Sequence, residues 1–204
     1  MVAEKITQCM KPHGKEGVET IENMNKNHEP ISEFAFECVD VGKNDMILDI
    51  GCGGGVNIEK FLKLTANNVD GLDYSDVSVK ESIKRNQIAI DDKKCRIIQA
   101  DVSDMLIDDE TYDLVSAFET IYFWPDIANT FREVSRIIKP NGQFMIAQGT
   151  DGNHPDDEKW LNSVEGMTVY TASELEKYLL DAGFVSVESY KKENDYILIV
   201  IAKK

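Results

Sequence analysis

Basic residues are scarce in this chain: 22 lysines and arginines stand against 37 acids, for a formal net charge of −15 over 204 residues. Such an excess of negative charge repels phosphate backbones and anionic lipid surfaces, which excludes neither a local patch nor a small ligand but disfavours nucleic acid or membrane as a partner. The basic residues form no cluster beyond pairs such as Lys93-Lys94 and Lys191-Lys192. Long apolar runs are missing as well, and nothing approaches the roughly 20 residues of a membrane span. The opening "MVAEKITQCMK" lacks the basic-then-apolar pattern of a secretion signal, so the expected location is cytoplasmic. Four cysteines, Cys9, Cys38, Cys52 and Cys95, are scattered without a C-x-x-C pair, and no two histidines share metal-ligand spacing. A structural zinc site is therefore not expected, and no other metal is. Several thiols together can capture a soft metalloid such as arsenic, but isolated cysteines commonly serve as small core residues. Internal repeats and low-complexity tracts are absent.

What is present centres on "MILDIGCGGGVNIEKFL", Met46 to Leu62. Met46, Ile47, Leu48 and Ile50 make the short apolar run of a strand buried on both faces. Gly51, Gly53 and Gly55 follow at alternate positions, and Val56, Ile58, Phe61 and Leu62 then lie along one helical stripe. Strand, glycine turn and helix form a ligand cradle, because glycine admits positive φ and a close backbone approach. The dinucleotide fingerprint G-x-G-x-x-G needs a glycine where Val56 stands, which argues against a nicotinamide-dependent oxidoreductase.

Taken in order, residues 1 to about 16 read as a loose polar arm, and helices are expected over about 17–27 and 31–39, with Asn27-His28-Glu29-Pro30 between them. After the glycine unit a strand ends at Asp73, and Ser75 or Asp76 caps a helix to about Ile90. Cys95 to Ala100 and Tyr112 to Phe118 are the next strands. Pro125 opens a helix over Asp126 to Ile138, Lys139 with the Pro140-Asn141-Gly142 turn ends it, and Gln143 to Gln148 is a fifth strand. Residues 149–170 show no clear period. Ser173 then caps a helix to about Ala182, and two strands around Glu193-Asn194-Asp195 close the chain. Strands alternating with helices and a terminal hairpin imply an α/β fold, a doubly wound, mostly parallel seven-stranded sheet with a C-terminal antiparallel β-hairpin. One domain is expected over 1–204: an N-terminal helical arm or lid (1–42), a ligand-binding core (43–150) and a substrate-side segment (151–204). Right-handed crossovers gather the loops after the strands at one edge, where ligands bind.

Two acids stand at those strand ends. Asp73 is either a turn former or an acceptor for both hydroxyls of a ribose, whose paired donors match a carboxylate. Asp101, in "QADVSD", is either a turn cap or a ligand contact. Asp49 sits inside the apolar run, where an unpaired carboxylate is costly and calls for a partner.

With these residues in place, the stretch from about Asn44 to Gly142 resembles the class I S-adenosylmethionine-dependent methyltransferases, small-molecule branch, through "ILDIGCGGG", "VDGLDYS", "IIQADVSD", "YDLVSAFE" and "EVSRIIKPNGQFMIA". Asn141 before Gly142 is a mild departure. The resemblance implies a Rossmann-like methyltransferase fold and S-adenosyl-L-methionine as cofactor. It implies a cradle of Gly51, Cys52, Gly53 and Gly55, Asp49 toward the cofactor's ammonium, Asp73 on the ribose and Tyr74 laid against adenine. Asp101 and the Val102 backbone would read the adenine edge, and Phe118 would end the fourth strand beside the cofactor.

The fourth strand runs into "FETIYFWPD" where many relatives carry histidines. Glu119 is thereby placed near the transferable methyl group with Tyr122, Phe123 and Trp124 beside it, a mixture that suits a cationic acceptor or the cofactor's own sulfonium. The plainer alternative makes the aromatics core and Glu119 a helix cap. His28, in "MNKNHEP", is a further candidate base; His13 and His154 lie in turn-rich stretches. The expected activity is methyl transfer to a small-molecule acceptor, an amine or another nitrogen or oxygen nucleophile, by in-line displacement, with the chain a monomer or homodimer. The alternatives are a cofactor-binding protein without transfer activity, the oxidoreductase, and an aminopropyl transferase.

Overall fold

The computed structural model describes residues 8–164 and 166–204. Helices α1 (Gly14–Asn27) and α2 (Glu29–Cys38) lead into β1 (Ile47–Ile50), α3 (Val56–Phe61), β2 (Val69–Asp73), α4 (Asp76–Arg85), α5 (Gln87–Asp91) and β3 (Cys95–Gln99). There follow β4 (Tyr112–Phe118), α6 (Ile127–Ile137), β5 (Ile138–Gln148), α7 (Asp157–Ser163), α8 (Ala172–Asp181), β6 (Ser186–Lys191) and β7 (Leu198–Lys203). The strands form one seven-stranded sheet in the order β3-β2-β1-β4-β5-β7-β6. β1 to β5 pair in parallel, and only β7 runs antiparallel to its neighbours β5 and β6.

Alternation along the strands builds two cores. Leu48, Val115, Phe144 and Val200 point to one face with Phe131 and Val134 of α6 and Leu175 and Leu179 of α8. Ile47, Leu114, Met145 and Ile199 point to the other, against Ala35 of α2 and Ile58 and Phe61 of α3. A strand clothed on both faces is mostly apolar, which is why β1, β4 and β7 read as hydrophobic runs, interrupted at the buried Asp49 and Ser116. Among the described residues, no helix is long and apolar enough to cross a membrane.

Several local expectations need correction. The arm is not loose where it is described: residues 8–10 are helical and α1 begins at Gly14, while residues 1–7 lie outside the described residues. Proline at the second position of α2 lacks only an N–H that has no intrahelical partner there, so α2 starts at Glu29 and His28 alone separates it from α1. The helix read as Asp76 to Ile90 divides at Asn86, whose side-chain amide donates to the Gly55 and Ser82 carbonyls. The Pro140-Asn141-Gly142 turn lies within β5 as a register shift against β4, with Asn141 at φ 68°. Residues 149–170 contain α7. Thr171, not Ser173, caps α8 through a capping box with Glu174.

Candidate active site

Strand order reverses between β1 and β4, and the loops leaving these strands part there to leave a trough. After β1 the chain turns through Gly51, Gly53 and Gly55, all at positive φ. The requirement differs along the turn. A Cβ on Gly51 would strike the Thr120 side chain and one on Gly55 would strike Asn86 and Ser82, whereas a Cβ on Gly53 would meet nothing within 4 Å. Gly51 and Gly55 therefore keep the loop close to protein, and Gly53 opens toward the trough.

Asp73, at the end of β2, is buried, and its two oxygens accept from the backbone N–H groups of Gly53 (2.9 Å) and Ser75 (2.9 Å). Burial raises its carboxyl above the usual range while these bonds, with the Ser78 hydroxyl, pull it back. The Gly53 and Ser75 bonds fall on different oxygens, and a carboxylate offers about four acceptor sites that a diol can share. Asp49 is 2% exposed, with the Ser116 hydroxyl donating to it at 2.7 Å. Burial pushes its carboxyl up to about 7, with repulsion from Asp73 adding and Ser116 opposing. Cys52 is buried, its backbone N–H on the Leu72 carbonyl and its thiol toward Ser82, and burial beside two aspartates drives that thiol well up. It packs; it is no nucleophile.

Asp49, Gly51, Cys52, Gly53, Asp73, Tyr74, Phe118 and Glu119 all line one cavity. Asp101 and Val102 line an adjoining one of about 250 Å³ that shares Gly51, Asp73 and Tyr74. Gly55 lines neither and acts from behind the turn. Asp101 is exposed, and its Oδ1 accepts from the backbone and side chain of Ser103, which hold its carboxyl low. It caps the turn through Oδ1, and no hydrogen bond among the described residues reaches its other oxygen.

The N-terminal stretch closes the outer wall, which sequence spacing did not reveal. Tyr74 donates its hydroxyl to the Met10 carbonyl at 2.6 Å, and Ser75 donates to the Pro12 carbonyl at 2.6 Å. The Lys11 ammonium lies 4.7 Å from the centroid of the Tyr74 ring. Backbone carbonyls serve as the anchors, and those carry no residue signature. The expected arm or lid over 1–42 pointed to this end of the chain, where α1 packs Ile21 against Gly54.

At the far end of the trough, Glu119 adopts φ 55°, a conformation that costs a non-glycine residue on the order of 1 kcal/mol and persists only where its surroundings hold it. Tyr122 donates its hydroxyl to Glu119 Oε1 at 2.9 Å, the Gly149 N–H donates to the same oxygen, and His28 Nε2 stands 4.0 Å from Oε2. Glu119 caps no helix. Burial raises its carboxyl, opposed first by His28, while burial and Glu119 together hold the Tyr122 phenol well above its usual range. Residues from three distant stretches, His28 between α1 and α2, Glu119 and Tyr122 after β4, and Gly149 after β5, thus meet around one carboxylate. They border a second cavity of about 260 Å³, walled by Met24, Phe123, Trp160 and Met167 among others. Trp124, by contrast, is core, stacked on Phe144 and giving its indole N–H to Thr120.

Residues 48–146 match a family model described as a methyltransferase domain. The chain is 27% identical over 133 residues to a sterol 24-C-methyltransferase of Kluyveromyces lactis, which covers 61% of this chain and 35% of that protein. It is 28% identical over 148 residues to the 27-O-demethylrifamycin SV methyltransferase of Amycolatopsis mediterranei, covering 68% of this chain and 53% of the relative. The chain thus aligns with between a third and about half of the length of these curated relatives. A solved structure of a proposed S-adenosyl-L-methionine-dependent methyltransferase from Methanococcus maripaludis superimposes with a TM-score of 0.71 at 22% identity, over 91% of this chain and 92% of that one, and so shares its fold.

Proposed function

Because this chain belongs to the class I S-adenosylmethionine-dependent methyltransferases, we propose that it transfers a methyl group from that cofactor to a small-molecule nitrogen or oxygen nucleophile. The carrying observation is that the cavity lined by the glycine turn, Asp49 and Asp73 shares Glu119, His28 and Phe123 with the second cavity, so a cofactor in the first ends where an acceptor in the second begins. The residues present fit the cofactor. Asp49 is a buried carboxylate suited to an ammonium group, Asp73 offers acceptor sites that a ribose diol can share, and Gly53 leaves the space that a side chain would fill. When bound, S-adenosylmethionine supplies an electrophilic methyl group, whose transfer forms a bond to the acceptor atom as the carbon–sulfur bond breaks and its electron pair stays on sulfur.

The protein's work is alignment, exclusion of water and management of one proton. Phe118, Phe123 and the Met10 segment cover the trough. Glu119, held by Tyr122 and Gly149, keeps Oε2 toward His28, and this pair takes the proton that a nitrogen or oxygen nucleophile must lose. Tyr122 acts as a positioning residue for that carboxylate.

The test is release of S-adenosylhomocysteine from a panel of amines, phenols, thiols and carboxylates, with binding of S-adenosylhomocysteine measured by calorimetry. Asp73→Ala should weaken binding about a hundredfold and Asp101→Ala about tenfold, the scale of losing charge-assisted hydrogen bonds. Unaltered affinity in Asp73→Ala would overturn the cofactor assignment. Glu119→Gln should lower kcat about a hundredfold, within the range of lost acid–base catalysis. In the unaltered enzyme the rate should fall as pH is lowered through the raised Glu119 pKa, since a carboxyl already protonated cannot take the acceptor's proton.

A further inference from the structure

The acceptor cavity holds a second carboxylate, placed to bind rather than to react. Asp157 opens α7 and lines the cavity together with Glu119. Its Oδ2 accepts from the Thr150 hydroxyl at 2.8 Å and the His154 backbone N–H at 2.9 Å, while Oδ1 takes no hydrogen bond among the described residues. Glu119 is anchored by Gly149 and Asp157 by Thr150, so the two acids hang from consecutive residues at the end of β5, whose Cα atoms are about 3.8 Å apart. Asp157 also helps to hold up the Tyr122 phenol, which puts it within electrostatic reach of the Glu119 cluster.

The remaining walls set the chemistry of the occupant. Among the described residues lining this cavity there is no lysine or arginine. A carboxylate or phosphate would meet only the imidazoles of His28 and His154 among the described lining residues, and would face two acids. Tyr122, Phe123 and Trp160 offer aromatic surface, Met24 and Met167 thioethers, and the Trp160 ring already carries the Lys159 ammonium 6.0 Å from its centroid. Such surfaces suit an aliphatic chain bearing positive charge. At about 260 Å³ the space lies just below the roughly 300–1,000 Å³ usual for ligand cavities, so the occupant is compact.

We infer that the acceptor is a small aliphatic amine carrying two basic centres: one nitrogen meets Glu119 and His28 and is methylated, and the other stays protonated and is held by the free oxygen of Asp157. This rests on the methyl-transfer reading above and adds a binding subsite to it; the reacting nitrogen gives its proton to the Glu119–His28 pair, and the second nitrogen neither gains nor loses one.

The test is steady-state methylation of a series of linear diamines of increasing length against monoamines and amino acids of matched length, followed by S-adenosylhomocysteine release. The expected result is a KM about tenfold lower for the best diamine than for its matched monoamine, with little difference in kcat and the amino acids poorest. Asp157→Asn keeps an acceptor for Thr150 and His154 but removes the charge, and it should bring the diamine-to-monoamine ratio of kcat/KM close to one. Equal KM values for diamines and monoamines in the unaltered enzyme would overturn the subsite while leaving the transfer reading intact, and so would a selectivity ratio that survives Asp157→Asn. Turnover of alcohols or phenols with no turnover of any amine would overturn the subsite and the choice of nitrogen together. Absence of S-adenosylhomocysteine binding would remove both readings at their root.

Discussion

Asp49 is a carboxylate that the ligand-free fold holds at a cost. Its carboxyl is pushed from an ordinary 3.8 to about 7 by burial, so between those values the folded chain binds a proton that the unfolded chain has released. Stability attributable to this group is therefore full below about pH 4 and is lost as pH rises toward 7, the reverse of an ion-paired aspartate. Asp49→Asn should accordingly raise the thermal midpoint of the ligand-free protein at pH 8 and change it little at pH 4; a shift that is equal at both would contradict the raised value. A cation delivered to this carboxylate reverses the balance. Affinity for S-adenosylhomocysteine, measured by calorimetry, should weaken as pH is lowered from 8 to 5, and Asn at this position should flatten that dependence. Glu119 raises the same question through its backbone. Positive φ at a glutamate is unfavourable, yet it carries the carboxylate back toward Gly149 and His28 rather than along the strand direction.

Among the elements, legibility followed burial. β1, β4 and β7 read clearly from composition because strands covered on both faces are mostly apolar, and β4 has the limits Tyr112–Phe118 that its run suggests. Asp73 ends β2 and Asp101 follows β3, where the strands give way to the loops that border the trough. The helices were less legible. Nothing in spacing alone distinguishes a continuous Asp76 to Ile90 helix from one broken at Asn86, since the break is made by a side-chain amide reaching back to Gly55. The capping box was readable, however: Thr171 precedes Glu174 by three, and that reciprocal pair outranks a lone Ser173. Removing the cap by Thr171→Ala should cost about 1 kcal/mol of unfolding free energy in a denaturant titration, whereas Ser173→Ala should cost far less. The links that complete the site were out of reach, because Met10 and Pro12 contribute carbonyls, and Thr150 meets Asp157 through a turn whose length no period announces.

For the molecule as a whole, the acidic excess and the acceptor cavity tell one story. A net charge of −15 leaves a field that extends about 10 Å at 0.1 M salt and roughly threefold farther at 0.01 M. The proposed acceptor cavity carries Glu119 and Asp157, with no lysine or arginine among its described lining residues. On the proposed reading, a cationic acceptor is concentrated at the mouth before it makes any contact, and an anionic one is turned away. The charge that disfavours phosphate backbones would then also act on substrate capture. Raising NaCl from about 0.01 to about 0.15 M should increase the KM of a cationic amine severalfold with kcat nearly constant, because screening weakens capture and leaves the contacts around Glu119 in place. The KM of a neutral acceptor should move little over the same range, and the thermal midpoint should rise as self-repulsion is screened. A salt-insensitive KM for the amine would mean that the acids lining this cavity are neutralised locally and that the field of the chain has no part in choosing its substrate.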